Sequence, residues 1–264
     1  MGSASRQALA SAKAELAAFH GFVPFEAATQ LFEAARVIDG QAQLRSALSD
    51  PSLDPATKRA LVARVFARFD TAAIRLLTVI AGHRWSDPSE LVAGIEEVGV
   101  RAIAASVTPG VSIERELHMF GAVVASDPQL ELALGSKLAS AESKLALVQR
   151  LLEGKAAAET LAILRQLIAH PRGRRIPELV RFAAGVVADQ GGVTIATVSV
   201  AAPLAPGQLD RLRAALSRQY DRPVAVNVVV DPSLLGGMRL RIGDEVIDGT
   251  VSARLSDLKL QLAS

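Results

Sequence analysis

Residues 31–48 are LFEAARVIDGQAQLRSAL, and 88 residues further on residues 119–136 are MFGAVVASDPQLELALGS. At that spacing Phe32 pairs with Phe120, Asp39 with Asp127 and Leu44 with Leu132. Downstream, Lys58 pairs with Lys144 at an offset of 86, and SELV (Ser89–Val92) pairs with PELV (Pro177–Val180) at 88 again. The offset shifts fall where loops belong. A solenoid unit spans roughly 20–50 residues, so a repeat this long points to a duplicated small helical domain. Each copy is expected to hold five or six helices, with the boundary near Thr108-Pro109-Gly110.

Both copies are patterned as helices. Ile176, Leu179, Val180, Ala183 and Val187 recur at three- and four-residue steps, as do Leu145, Val148 and Leu152, and Leu161, Leu164 and Ile168. Asp54-Pro55 and Asp87-Pro88 each place a capping acid before a proline suited to the first helical position. Glu90, three residues after Asp87, predicts a capping box.

After Asp189 the texture changes. Gly191-Gly192 precedes VTIATVSV, an alternating β-branched strand. Pro206–Tyr220 carries Leu209, Leu212, Leu216 and Tyr220 on one helical stripe. Val224–Val230 reads as a buried strand. Met238, Leu240 and Ile242 alternate with Arg239 and Arg241 in a half-exposed one. Gly243-Asp244 predicts a hairpin turn, Val246-Ile247 returns, and a last helix carries Val251, Leu255, Leu258 and Leu262 on one face. The expected architecture is therefore mostly α. It comprises two repeated helical bundles (1–109 and 110–190) followed by a small α+β C-terminal domain (191–264).

Composition excludes several classes of function. Half of the 264 residues are hydrophobic, enough to bury cores. Lys+Arg 29 against Asp+Glu 27 leaves +2, without the basic excess of a nucleic-acid binder. The chain has no cysteine, and its four histidines (His20, His83, His118 and His170) are scattered, which argues against a metal site. The start shows no signal-peptide pattern. The longest charge-free run, Gln190 to Leu209, is broken by Gly191, Gly192, Pro203, Pro206 and Gly207, so it fits a strand and turn better than a membrane span.

Candidate chemistry is thin. Gly236-Gly237 and Gly243-Asp244 lack the Lys-Ser/Thr of a phosphate loop and are best taken as turn residues. Asp244 and Asp248 form a possible carboxylate pair for acid–base work, yet a turn and a helix cap account for them more simply. Arg172, Arg174 and Arg175 (PRGRR) form a basic loop, either solvated or facing an acidic partner helix. Arg84 and the sole tryptophan, Trp85, stand at the matching place in the first repeat, and Trp85 fits either a core or an interface anchor. No serine has a base at motif spacing and no G-x-S-x-G occurs. The residues point to a non-enzymatic helical connector.

Residues 224–262 add a family resemblance. The apolar strand, Asp231-Pro232, Leu235-Gly236-Gly237, the Arg241-x-Gly243-Asp244 turn, Val246-Ile247-Asp248-Gly249 and a closing helix with Leu255 follow one another in fixed order. This stretch resembles the C-terminal signature of the F-type ATP synthase delta subunits, whose mitochondrial relatives are the oligomycin-sensitivity-conferring proteins. Ordinary members resemble one bundle plus this tail. The doubled bundle looks like the long form of high-GC Gram-positive bacteria.

The resemblance implies a stator without cofactors. Its bundle would grip alpha subunits of the catalytic head, with beta subunits as a further candidate. Its tail would hold b-type peripheral stalk subunits, Leu260 on the flank of the last helix being one candidate contact. It implies a peripheral position on the cytoplasmic face of the bacterial membrane, without membrane insertion or nucleic acid. A generic helical adaptor for another partner is the alternative.

Overall fold

The computed structural model describes residues 1–264 apart from 20–22, 108–110, 193, 221–222, 243–244 and 254–264. The first six helices are α1 (Ser3–Ala17), α2 (Phe25–Gly40), α3 (Ala42–Ser49), α4 (Pro55–Val65), α5 (Thr71–Gly82) and α6 (Pro88–Ser106). Five more follow: α7 (Ile113–Ser126), α8 (Pro128–Gly135), α9 (Ala141–Leu152), α10 (Ala158–Ala169) and α11 (Ile176–Gln190). The tail holds β1 (Thr194–Val200), α12 (Pro206–Gln219), β2 (Val224–Val230), β3 (Met238–Ile242) and β4 (Glu245–Asp248). The fold is thus mostly helical with a small α+β end. Contacts divide it into two compact units, Met1–Val187 and Ala188–Ser264.

In the helical unit, the starts of α4, α5, α6 and α8 follow acids. Asp54 accepts hydrogen bonds from the backbone N–H groups of Ala56 and Thr57 at 3.0 and 3.3 Å, and Asp87 from that of Ser89 at 2.7 Å. These satisfy donors that the first turn leaves unpaired. Asp70 and Asp127 do the same for α5 and α8. The expected capping box at Glu90 does not form. Its carboxylate instead accepts from the Ser5 hydroxyl at 2.5 Å and from Gly2 N–H at 3.1 Å. Glu90 faces the start of α1, whose own unpaired donors reach it, so it ties two helices together rather than closing its own first turn.

Helix α6 is the spine. Leu91, Val92, Ile95, Val98, Ala102 and Ile103 are all buried. It packs against α1, α2, α3 and α5 and also against α10. Gly94 makes this possible at one end, since any Cβ there would collide with the Trp85 ring. Trp85 is 4% exposed, and its indole N–H donates to the Ile80 carbonyl at 2.8 Å. The side chain is a core residue, so an anchor at an exposed interface does not describe it.

Burial recurs along the helical unit, in a register that the sequence pairing matches at Lys58–Lys144 and over 89–92 with 177–180 but misses upstream. Leu31 and Leu117, Leu48 and Leu134, Lys58 and Lys144, and Val62 and Val148 are all buried, each pair 86 residues apart. Leu76 with Ile163 and Leu77 with Leu164 follow at 87, and Leu91 with Leu179 and Val92 with Val180 at 88. The pairs Phe32–Phe120, Asp39–Asp127 and Leu44–Leu132 are therefore out of register by two. Leu44 is 8% exposed whereas Leu132 is 73% exposed. The cause is local. Asp127 both ends α7 and caps α8, the place that Gln41 holds between α2 and α3. An acid near a helix junction in each copy thus suggests a pairing that the backbone does not make.

The tail is a four-stranded sheet in the order β2-β1-β3-β4. β1 and β2 are parallel and joined through α12, while β3 pairs antiparallel with β1 and β4. Leu212 and Leu216 of α12, with Tyr220 just past its end, pack on Ala196, Val198, Val200, Val224 and Leu240. β2 departs from the expected buried strand. It lies at the edge of the sheet, and Val229 and Val230 are exposed. A run of valines cannot by itself distinguish a central strand from a sheltered edge. The turn at Gly243-Asp244 and the closing-helix residues Leu255, Leu258, Leu260 and Leu262 lie outside the described residues.

Candidate functional site

The tail signature builds a backbone clasp. The side chain of Asp231 accepts from the Ser233 hydroxyl at 2.6 Å and backbone N–H at 3.0 Å, which hold its carboxyl below the usual range. This turn delivers Leu235-Gly236-Gly237 to the segment after β4. Val251 N–H donates to the Gly236 carbonyl at 3.1 Å, and Gly249 N–H to the Met238 carbonyl at 2.9 Å. Gly237 sits at φ +79°, and a Cβ there would stand 2.5 Å from the Gly249 carbonyl oxygen. Only glycine fits so close an approach at positive φ.

Asp248 closes the clasp. It accepts from Thr250 N–H at 3.0 Å and from Arg239 Nε at 3.0 Å. The Thr250 bond, ahead of that of Arg239, keeps the carboxyl ionised below its ordinary value. Thr250 in turn accepts from Ala253 N–H at 3.2 Å. Asp248 thus works as a turn residue, and the helix cap expected of it falls to Thr250, whose hydroxyl meets Ala253 N–H. Leu235, Arg241, Val246 and Ile247 stay exposed around the clasp. Gly243, Asp244 and Leu255 fall outside the described residues.

The basic loop finds its acids within the chain. Arg172, at φ +48°, places its Nε 2.9 Å from Glu96 Oε2 of α6 and its guanidinium 3.6 Å from Asp39. Gln166 Nε2 donates to Glu96 Oε1 at 2.7 Å, and Arg36 donates to Gln166 Oε1 at 2.8 Å. This network ties α2 and α6 to α10 and the loop that follows it. Arg175 pairs with Glu131 of α8 at 2.7 Å, and Arg174 lies over the Phe182 ring at 5.5 Å. Arg84 is exposed. The acidic helix that PRGRR suggests is therefore α6 of the same chain for Arg172, and α8 for Arg175.

Exposed apolar side chains on the second copy carry no motif. Met119 and Val123 on α7 are 63% and 52% exposed, and Leu132 on α8 and Leu138 beyond it are more so. Comparing the two copies in the 86-residue register reveals them, because their counterparts Glu33, Val37, Ser46 and Ser52 are mostly polar. Among the described residues no cluster of three or more His, Cys, Asp or Glu could hold a metal ion, and no helix is long and apolar enough to cross a membrane. What the geometry offers is surfaces and ties, the equipment of a connector.

Comparison with known proteins agrees. A family model described as ATP synthase delta (OSCP) subunit matches residues 103–262. A protein named ATP synthase subunit delta from Leifsonia xyli subsp. xyli is 52% identical over 263 residues, covering the whole of both chains. Proteins of the same name from Acidothermus cellulolyticus and Streptomyces griseus subsp. griseus are 39% and 36% identical. The first covers 91% of this chain and 89% of the relative, the second all of both.

Proposed function

The chain belongs to the ATP synthase delta (OSCP) subunit family, a non-catalytic part of the peripheral stalk of F-type ATP synthase, and from this premise we propose how its parts divide the work. The helical unit grips alpha subunits of the catalytic head, and the tail unit holds b-type stalk subunits. Held between them, the head cannot turn with the rotor, so rotor torque drives ATP synthesis. The complex places the chain at the cytoplasmic face of the cell membrane. The helical unit itself is divided into a first copy (1–109) and a second (110–190), ahead of the tail (191–264).

The observation that carries this is kinship over the full chain length, with relatives of the same doubled size. The geometry supports it. Two units with separate cores can hold two different partners. A stator must outlast many rotor steps, which calls for nanomolar binding or tighter, about −12 kcal/mol. Two linked contacts reach that through effective concentration.

The test compares the full chain with a fragment ending at Asp189, using delta-depleted head and isolated b-type stalk. The fragment is expected to keep head binding and lose stalk binding. Retained stalk binding with lost head binding would reverse the two ends.

A further inference from the structure

We propose that the cleft between α2, α9 and α10 is a binding site for a small organic anion, a monocarboxylate carried on an apolar body. The cleft has a volume of about 480 Å³, inside the range of roughly 300–1,000 Å³ that small-molecule sites occupy. It lies wholly within the helical unit and is independent of which partner each unit holds. Helices α2 and α9 both pack on α10, and each of the three turns one face to the cleft. Phe32 and Arg36 stand one turn apart on α2, as do Ala141 and Leu145 on α9. Ala162, Gln166 and Ala169 follow i, i+4, i+7 on α10.

The apolar walls are already in place. Phe32 lines the cleft although it is only 3% exposed, and its ring is held against Gly99 of α6, where a Cβ would stand 2.7 Å from the ring. Alanines at 141, 162 and 169 make the room, since their methyl groups stop short of filling it. The size decides the kind of guest. Two turns of a partner's helix, about 11 Å long and 10 Å wide, fill roughly 850 Å³ and do not fit. A bare inorganic anion would fit but would leave the apolar walls facing water.

Charge selects the anionic end. Arg36 donates to the Gln166 carboxamide oxygen at 2.8 Å, and Arg165 to that of Gln149 at 2.6 Å. Both acceptors are neutral, and neither guanidinium has a carboxylate within ion-pair distance among the described residues. Arg172, in the loop after α10, is by contrast neutralised by Glu96 and Asp39. Gln166 is 4% exposed, and its Nε2 donates to Glu96, which turns its oxygen to Arg36 and holds that guanidinium at the cleft. His170, at the end of α10, lines the same cleft, and its ring makes no hydrogen bond among the described residues. Planar guanidiniums grip a carboxylate through paired N–H donors. A carboxylate held by Arg36 and Arg165 leaves the apolar body to lie along Leu145, Ala162 and Ala169 toward Phe32.

The experiment titrates the full chain with sodium octanoate by calorimetry at pH 7.5. The comparison probes are 1-octanol, which lacks the anion, and inorganic phosphate, which lacks the apolar body. One octanoate per chain is expected, bound about 10-fold more tightly than either, and it should raise the melting temperature of the helical unit. Arg36→Gln with Arg165→Gln, both exposed side chains, should weaken octanoate about 10-fold. Ala162→Phe, which fills the cleft and keeps the cations, should abolish binding. Arg64→Gln, an exposed arginine on α4, should change nothing. Thermal melts check folding, and the arginine pair carries the test if Ala162→Phe does not fold. Octanoate affinity within about threefold of wild type in the arginine pair would overturn the proposal, as would a wild-type chain without saturable octanoate binding. Octanol bound as tightly as octanoate would show a merely apolar groove, and phosphate bound as tightly would show cations acting alone, and either overturns it. Binding to phosphatidylglycerol vesicles that the arginine pair removes, with no binding of free octanoate, would assign the cleft to a lipid and overturn the free carboxylate.

Discussion

Within the helical unit, the two stretches related by an 86- to 88-residue spacing, here called copies, agree inside and differ outside. Lys58 and Lys144, Val62 and Val148, and Leu91 and Leu179 are buried alike. On the surface, Glu33 becomes Met119, Arg36 becomes Ala122 and Ser46 becomes Leu132. Interior positions answer to packing, which is the same problem twice. Surface positions answer to neighbours, and the copies have different ones. The first copy spends its outer polar groups on the second, through Arg36, Asp39 and Glu96. The second turns an apolar stripe to solvent.

The comparison is easiest to break at Trp85. In the first copy an indole fills the space over Gly94. In the second, the residue 88 positions after Gly94 is Phe182, 43% exposed. Trp85→Ala should cost about 3–5 kcal/mol in a denaturant melt, whereas Phe182→Ala should stay within about 1 kcal/mol. Comparable losses for the two variants would mean that Phe182 is held as tightly as Trp85 and does not belong to the differing outer surface.

The second test sets tail against helices. Gly237→Ala combines positive φ with overlap against the Gly249 carbonyl, and should cost about 2–3 kcal/mol. The loss should appear in the tail's transition and in stalk binding, with the helical transition unmoved. A single shifted transition would show that the two units do not unfold separately. Gly236, at φ +144°, meets only a Val251 methyl at 3.3 Å, so alanine there should cost less.

Much of this was legible in the sequence, and the failures share one cause. Asp54-Pro55 and Asp87-Pro88 announced helix starts because capping is local. The alternating strands and the α+β tail were equally plain. What escaped was anything decided across the chain. Glu90 serves α1 instead of its own cap because Gly2 and Ser5 lie nearby only once the helices pack. PRGRR signalled an acidic partner, and the fold supplies Glu96 and Glu131 from within. A recurrence of residues some 88 apart was visible, but the register in which burial recurs was not, and without it the exposed α7 stripe could not stand out.

A third test exploits Glu90. The Ser5 hydroxyl, followed by Gly2 N–H, holds its carboxyl below the ordinary 4.5. The stability it lends is therefore complete above about pH 4.5 and is lost as pH falls through its lower folded value. Glu90→Gln should lower the melting temperature at pH 7 and reduce the fall on acidification. Glu178→Gln, its exposed counterpart in the second copy, should do neither. Equal shifts in both variants would remove this asymmetry between the copies.

The smallest expected effect lies at His118, which stands where the first copy has Phe32 in the 86-residue register. Its Nε2 is 3.5 Å from Glu114 Oε1 without a hydrogen bond. Burial, and after it the positive charge of Arg181, pushes its pKa below the ordinary 6.5. His170, beside the Arg36–Glu96 network, is shifted the same way, chiefly by burial. The folded chain therefore prefers both rings neutral. Their contribution is present above about pH 6.5 and is lost as pH falls through the lower folded values. Glu114 works in the opposite sense, since burial raises its pKa and the folded state favours its protonated form. It does so from a lower starting value, so the histidines set the sign just below neutrality. Melts of the full chain at pH 7.5 and 5.5 should show a modest loss on acidification, smaller in His118→Gln and smaller still when His170→Gln is added. A wild-type chain as stable at pH 5.5 as at 7.5 would mean that the His118–Glu114 contact forms an ion pair strong enough to offset burial. The second copy would then hold a charged pair where the first holds a phenyl ring.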